Sequence, residues 1–296
     1  MTTAELEKFQ QRIQKRIYNV AKNNDLLDCG YEPLYDGLCD ASAYNNSNLK
    51  ILWVLKEAYC KGNDTGGWSL TEILFNEYPY VTEIKNQTHQ KMAYVSYGIL
   101  NKCRYEDIDY LNDNPSVGEV LHEIAYININ KMPANTSTND NTLWEKYDIW
   151  KNVLHQQIEA YNPDVIIFGN TFKYFRSDLF DGNEPDCDYD YTNDIETDAR
   201  ANVYYYNGRL LIDTNHPQYT GCQGAWANAI IQACQDYCDY DCDDEDDDCD
   251  CDCDCDDDDD DDCDYDCDDE DDDCDCNCDW EEVHHLPVNG CFFDTD

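Results

Sequence analysis

Leu210-Leu211-Ile212-Asp213-Thr214-Asn215-His216-Pro217-Gln218-Tyr219 is an apolar strand that breaks into a His-Pro step. Two upstream runs also finish in polar groups. Ile51-Leu52-Trp53-Val54-Leu55-Lys56-Glu57-Ala58 delivers a carboxylate, and Tyr126-Ile127-Asn128-Ile129-Asn130-Lys131 ends in Asn-x-x-Lys. A further short run, Asp164-Val165-Ile166-Ile167-Phe168-Gly169, follows the helix-ending pair Asn162-Pro163. These runs are continuous rather than alternating and are separated by segments of helical spacing. That pattern predicts an α/β sheet covered on both faces. In an open parallel sheet the carboxyl ends of the strands border one crevice where ligands bind. Glu57, Asn128 and His216 are therefore expected to meet in a single site.

The intervening segments support this alternation. Thr2 and Glu5 form a capping-box pattern ahead of a helix running to about Asn23, with Leu6, Phe9, Ile13, Ile17 and Val20 on one stripe. Residues 24–48 are polar and read as loop. A Gly-bearing loop over 60–67 leads to a helix near Trp68, and 85–122 is mostly helical with a break around Asn112-Asp113-Asn114-Pro115. Helices are also expected over about 142–161, from an Asn170 cap through Tyr174 and Phe175, and over about 223–236. Residues 181–200 are an acidic insertion. Val203–Tyr206, Asn207-Gly208 and Arg209–Asp213 read as a hairpin that feeds the His-Pro step.

Charge divides the chain in two. All 19 Lys and Arg lie before residue 236, whereas the 66 acidic residues split evenly, 33 on each side of that point. The front part is long enough for one sizeable domain with a core. Its acidity argues against casual nucleic-acid affinity, because phosphate binding rests on Lys and Arg. Seven cysteines fall in the front part (29, 39, 60, 103, 187, 222 and 234) and 12 in the tail. The front set has no C-x-x-C spacing, so free thiols are expected rather than a disulfide frame or a zinc site. The first residues lack the apolar core of a signal peptide, and no run approaches the ~20 apolar residues of a membrane span. A cytoplasmic monomer without membrane contact is the expectation.

The order of these motifs resembles the uracil-DNA glycosylase superfamily over roughly residues 49–235. Lys56-Glu57-Ala58-Tyr59-Cys60 stands where that family often has Gly-Glu-Ala-Pro-Gly. Asn128-Ile129-Asn130-Lys131 with Pro133 is similar to its Asn-x-x-Lys motif with a following proline. Pro163 to Gly169 matches its proline-led strand, and His216-Pro217-Gln218 its terminal His-Pro-Ser. The resemblance implies a three-layer α/β/α fold with a central four-stranded parallel sheet. It also implies hydrolysis of the N-glycosidic bond of uracil or a related altered base in DNA. Glu57 would then stabilise the oxocarbenium-like sugar or orient water, and His216 would donate to the base oxygen that gains charge. Asn128 would read the pyrimidine edge with the donor and acceptor of one amide. The base must leave the stack first, which makes Tyr59 a candidate stacking partner and Tyr219 or Trp226 a candidate wedge. The cysteine spacing that holds the iron–sulfur cluster of one branch is missing, so no cofactor and no metal are assigned.

Each residue also has a plainer reading. Glu57 can cap a helix, Asn128 can satisfy backbone groups, and His216 can be a turn residue. Lys131 reads as a surface cation, with a phosphate contact as its functional alternative. Trp53 and Trp68 read as core. A non-catalytic module that binds a nucleotide, nucleic acid or protein through the same crevice is the alternative to an enzyme.

In the tail, the 14-residue unit 238–251 recurs without change at 263–276. So much like charge with so little apolar surface predicts disorder. Such a segment offers ligands for cations, a mimic of DNA charge, or a site for a basic partner. The expected organisation is an N-terminal helix and loop (1–48) packing on the core, the α/β/α domain (49–235), the repeat tail (236–279) and a short closing segment (280–296).

Overall fold

A computed structural model describes residues 1–60, 62, 64–73, 86–134, 138–182, 189–191 and 199–243. In chain order the elements are α1 (Thr3–Asn23), β1 (Gly37–Leu38), α2 (Ala41–Asn46), β2 (Ile51–Tyr59), α3 (Leu70–Glu72), α4 (Gln87–Leu100), α5 (Ser116–Glu119) and β3 (Ala125–Ala134). They continue with α6 (Asp140–Tyr161), β4 (Val165–Gly169), α7 (Phe172–Leu179), β5 (Tyr189–Asp190), β6 (Ala201–Tyr206), β7 (Arg209–Thr214) and α8 (Gln223–Asp243). Every apolar run named above is a strand.

The strands form one sheet in the order β1-β3-β2-β4-β7-β6-β5. Its four central strands, β3-β2-β4-β7, are mutually parallel, while β1, β6 and β5 join antiparallel at the two edges. The sheet is therefore mixed, which corrects the expectation of a purely parallel one. The hairpin explains half of the difference. Asn207 and Gly208 both take positive φ, 53° and 67°, as a two-residue primed turn requires. β6 must then return antiparallel to β7 and extend the sheet past its last parallel strand.

Strand side chains alternate between two cores. Ile51, Trp53 and Leu55 of β2 pack with Met92 and Val95 of α4, Val117 of α5, and Trp226 and Ile230 of α8. Leu52 and Val54 pack with Leu6 and Ile17 of α1, Trp150 and Leu154 of α6, and Phe172 and Phe175 of α7. Helices on both faces give the three layers that continuous apolar strands demand. The α1 capping box is present, with both Thr2 and Glu5 engaged. Asn170 does not cap α7. It sits at positive φ, and Thr171 occupies the N-cap, spending its hydroxyl on the Val54 carbonyl at 2.7 Å instead.

Residues 24–48 are more ordered than loop. Asp36, just ahead of β1, is buried and accepts from the Asn128 backbone N–H at 2.8 Å, from Lys131 Nζ at 2.7 and 2.8 Å, and from Gln157 Nε2 at 2.9 Å. Lys131 is correspondingly neither a surface cation nor a phosphate contact. Its ammonium is fully buried on the face opposite the crevice and also donates to Gln157 Oε1 at 2.9 Å. A one-residue step along β3 sends Lys131 to the other side of the sheet from Asn128 and Asn130. Burial pushes its pKa down, and the Asp36 carboxylate pushes it back up.

The final helix runs to Asp243, beyond the expected end near residue 236. Tyr237 holds this extension to the domain by stacking on Tyr205 at 6.0 Å and donating to the Gly208 carbonyl. The remaining tail and most of the acidic insertion lie outside the described residues. Among the described residues the cysteines are free thiols, and no helix is long and apolar enough to cross a membrane.

Replacing Lys131 by Met should lower the unfolding free energy by about 3–5 kcal/mol, because a buried carboxylate loses its cation. Urea unfolding of Lys131→Met beside the double variant Asp36→Asn/Lys131→Met checks this. The double variant is expected to recover most of the loss.

Candidate active site

The chain builds β2, then β3 on one side of it, then β4 on the other. The connections reverse direction across β2, which places a switch point at the carboxyl ends of the parallel strands. A cavity of about 960 Å³ opens there, and both Glu57 and His216 line it. Tyr59, Trp68 and Tyr219 line it too. Trp68 is thus a wall of the cavity rather than core, with its indole N–H given to the Asp64 carboxylate at 3.1 Å.

Glu57 arrives by strand parity. It shares the face of Ile51, Trp53 and Leu55, but lies beyond the covering helices at the strand's polar end. In register it faces Asn130, whose Nδ2 donates to Glu57 Oε2 at 3.1 Å. Asn130 Oδ1 in turn accepts the Met132 N–H at 3.0 Å, so the amide cannot rotate away from the carboxylate. Asn130 is a positioning residue that sequence reasoning left without a role. Its signal was parity: Asn128 and Asn130 share a face, and the register pairs Asn130, not Asn128, with Glu57.

Asn128 is one rung lower, opposite Leu55. It is buried, does not line the cavity, and donates from Nδ2 to the Tyr126 hydroxyl at 3.2 Å. The structure therefore does not bring it to Glu57 and His216. Tyr126 lines the cavity where Asn128 was expected. Trp226 is no wedge. It is a core residue beside Trp53 and donates from Nε1 to Thr214 Oγ1 at 2.8 Å.

His216 is positioned by a close approach. A Cβ on Gly169 would stand 2.5 Å from a Leu55 methyl and 3.1 Å from the Pro217 ring, so the glycine at the end of β4 lets the His-Pro step pack closely over the strand. His216 Nδ1 accepts the Gln218 N–H at 3.2 Å. The ring proton of the neutral form therefore resides on Nε2, which makes that nitrogen a donor. Burial pushes the pKa down to about 4, and the Lys56 and Lys91 ammoniums add to the effect.

Cations as well as carboxylates stand at this cavity. Lys56 and Arg200 line it, and Lys91 donates to the Tyr219 carbonyl on its wall. Lys56 is tied to Asp140 at 3.2 Å. Arg200 holds Asp213 at 3.2 Å, Asn170 Oδ1 at 3.4 Å and the Thr214 carbonyl at 3.2 Å. Asn170 thus serves the cavity wall rather than a helix end. Asp213 has its carboxyl raised to about 6 by burial, against the pull of Arg200, Arg176 and Lys173.

These shifts act in opposite directions on stability. The neutral form of His216 is favoured by folding, so its contribution is present above pH 6.5 and lost as pH falls through about 4. Folding favours protonated Asp213, so its contribution is present below pH 3.8 and lost as pH rises through about 6. Among the described residues no cluster of three or more His, Cys, Asp or Glu is placed to hold a metal ion.

No family model matches the chain. No curated protein matches it in sequence.

A nitrogen-detected titration of the histidine rings should give His216 an apparent pKa near 4. Lys56→Met should raise it by removing a neighbouring cation. Between pH 6.5 and 4, His216→Gln should lose less stability than the wild type, by on the order of 1–2 kcal/mol, measured from thermal or urea unfolding.

Proposed function

We propose that the protein is a hydrolase of N-glycosidic bonds that removes uracil or a related altered base from DNA. The observation that carries this reading is the meeting of Glu57 and a neutral His216 in one cavity at the carboxyl ends of the parallel strands. The chemistry needs two groups of different character. Departure of the base leaves positive charge on the sugar and negative charge on the base. A carboxylate held by Asn130 answers the first, and the Nε2–H of a neutral imidazole answers the second. A neutral donor suits the second task because its hydrogen bond strengthens as the base oxygen gains charge.

The cations at the cavity supply what the overall composition withholds. Lys56, Lys91 and Arg200 place positive charge beside the site of a net-acidic chain. They are suited to a phosphate-bearing substrate. Tyr59 is 49% exposed at the cavity, as a stacking partner for an extruded nucleotide must be.

A non-catalytic binding module is the second reading, and one observation favours it. The amide expected to read the base is absent from the cavity lining and lies behind Tyr126, whose hydroxyl it holds.

The test is to incubate the full chain with single- and double-stranded oligonucleotides containing uracil and to assay abasic sites. Wild type should generate them. Glu57→Ala should lower the rate by about 10²–10⁴-fold, and His216→Ala by about 10²–10³-fold. Folded wild-type protein that makes no abasic sites on either substrate would shift the assignment to the binding module.

A further inference from the structure

The cavity contains a second imidazole. His89 lies in the first turn of α4, preceded by the N-cap Asn86, and lines the cavity together with Asn86 and Thr88. It is only 7% exposed. Among the described residues no hydrogen bond reaches either of its ring nitrogens, and its one ring contact is an edge-on approach to Tyr126 at 5.7 Å. A buried polar ring with no protein partner is costly unless something else meets it. Water or a ligand must take that role, because the ring borders open space.

The depth of His89 says which part of a ligand it would meet. Leu55, Ala58, Leu70, Thr88, Tyr126 and His89 are all buried and form the floor, whereas Lys56, Tyr59, Arg200 and Gln218 are more exposed and form the rim. Apart from the Thr88 hydroxyl and the His89 ring the floor is apolar and aromatic, and it carries no cation, so it suits a flat neutral ring. The rim carries the charge, so it suits the phosphate. Burial alone lowers the His89 pKa to about 4, so the imidazole presents a donor and an acceptor without charge.

We propose that His89 is the residue that reads the base, making a neutral hydrogen bond to the heterocycle at the floor of the cavity beside Tyr126. This deepens the base-excision reading and rests on it. The role expected of Asn128 passes to a residue on a different element. Specificity follows from the same physics: a base that cannot complete the hydrogen bond leaves a buried polar group unmet and is rejected.

The experiment follows the histidine ring nitrogens of the full-length protein by NMR during titration with uracil and, separately, with deoxyribose 5-phosphate. Uracil should shift the His89 nitrogens and the sugar phosphate should not. His89→Phe should weaken uracil binding about tenfold. His89→Gln, whose amide keeps a donor and an acceptor, should stay within about threefold of wild type. If uracil binds wild type and His89→Phe equally and the His89 nitrogens do not move, the assignment of His89 fails while base excision stands. If the sugar phosphate moves them and uracil does not, the floor has been given the wrong ligand and the proposal also fails. If uracil neither binds nor is released from DNA, both readings fall together. The wild-type spectra decide the matter even where a variant does not fold.

Discussion

One buried carboxylate organises the sheet around which the rest is arranged. Asp36 takes hydrogen bonds from the backbone of β3, from Lys131 on the same strand and from Gln157 on α6. It thereby joins the N-terminal segment, the sheet and a covering helix at a single point. A charge pair so deeply buried is tolerated only because nearly every lone pair and proton has a partner. The arrangement also fixes the facing of β3. With Lys131 committed below the sheet, Tyr126, Asn128 and Asn130 must lie above it, on the side of the cavity.

From that facing follows the composition of the site. Glu57 meets Asn130 because the two are in register on adjacent parallel strands, which holds the carboxylate at the cavity. Across the switch point, Gly169 lets the His-Pro step settle against the end of β4. Burial then works differently on each ionisable group. It keeps His216 and His89 neutral, whereas it raises the carboxyl of Asp213. Two uncharged imidazoles, one carboxylate and the cations Lys56 and Arg200 thus line one pocket, and the proposed base-excision reading rests on that arrangement.

Strand positions were legible because each is a short apolar run punctuated by Gly, Pro or Asn, and the hairpin because Asn207-Gly208 permits one kind of turn. Glu57 and His216 were legible for a related reason: each is the polar residue at which an apolar strand stops. Asn128 was misplaced because the same rule cannot choose between two asparagines of equal parity. The choice depends on register with β2, including the shift between Glu57 and Tyr59. Lys131 was misplaced because a lysine is ordinarily a surface residue, and its partner Asp36 lies 95 residues away in a segment that reads as loop. His89 was not legible in the sequence, because a histidine in a helical stretch carries no local signal of what it will face.

What the amino-acid order determined by itself was local: which runs are strands, where helices begin, where the chain turns, and that charge is concentrated at one end. Those features depend on neighbours a few residues apart, through propensity, capping and turn geometry. The tertiary structure alone decided that the sheet is mixed, that Lys131 is interior, and that His89 and Arg200 join Glu57 and His216 around one cavity. Those outcomes depend on which distant strands pair and in what register. A shift of one residue turns every side chain to the opposite face.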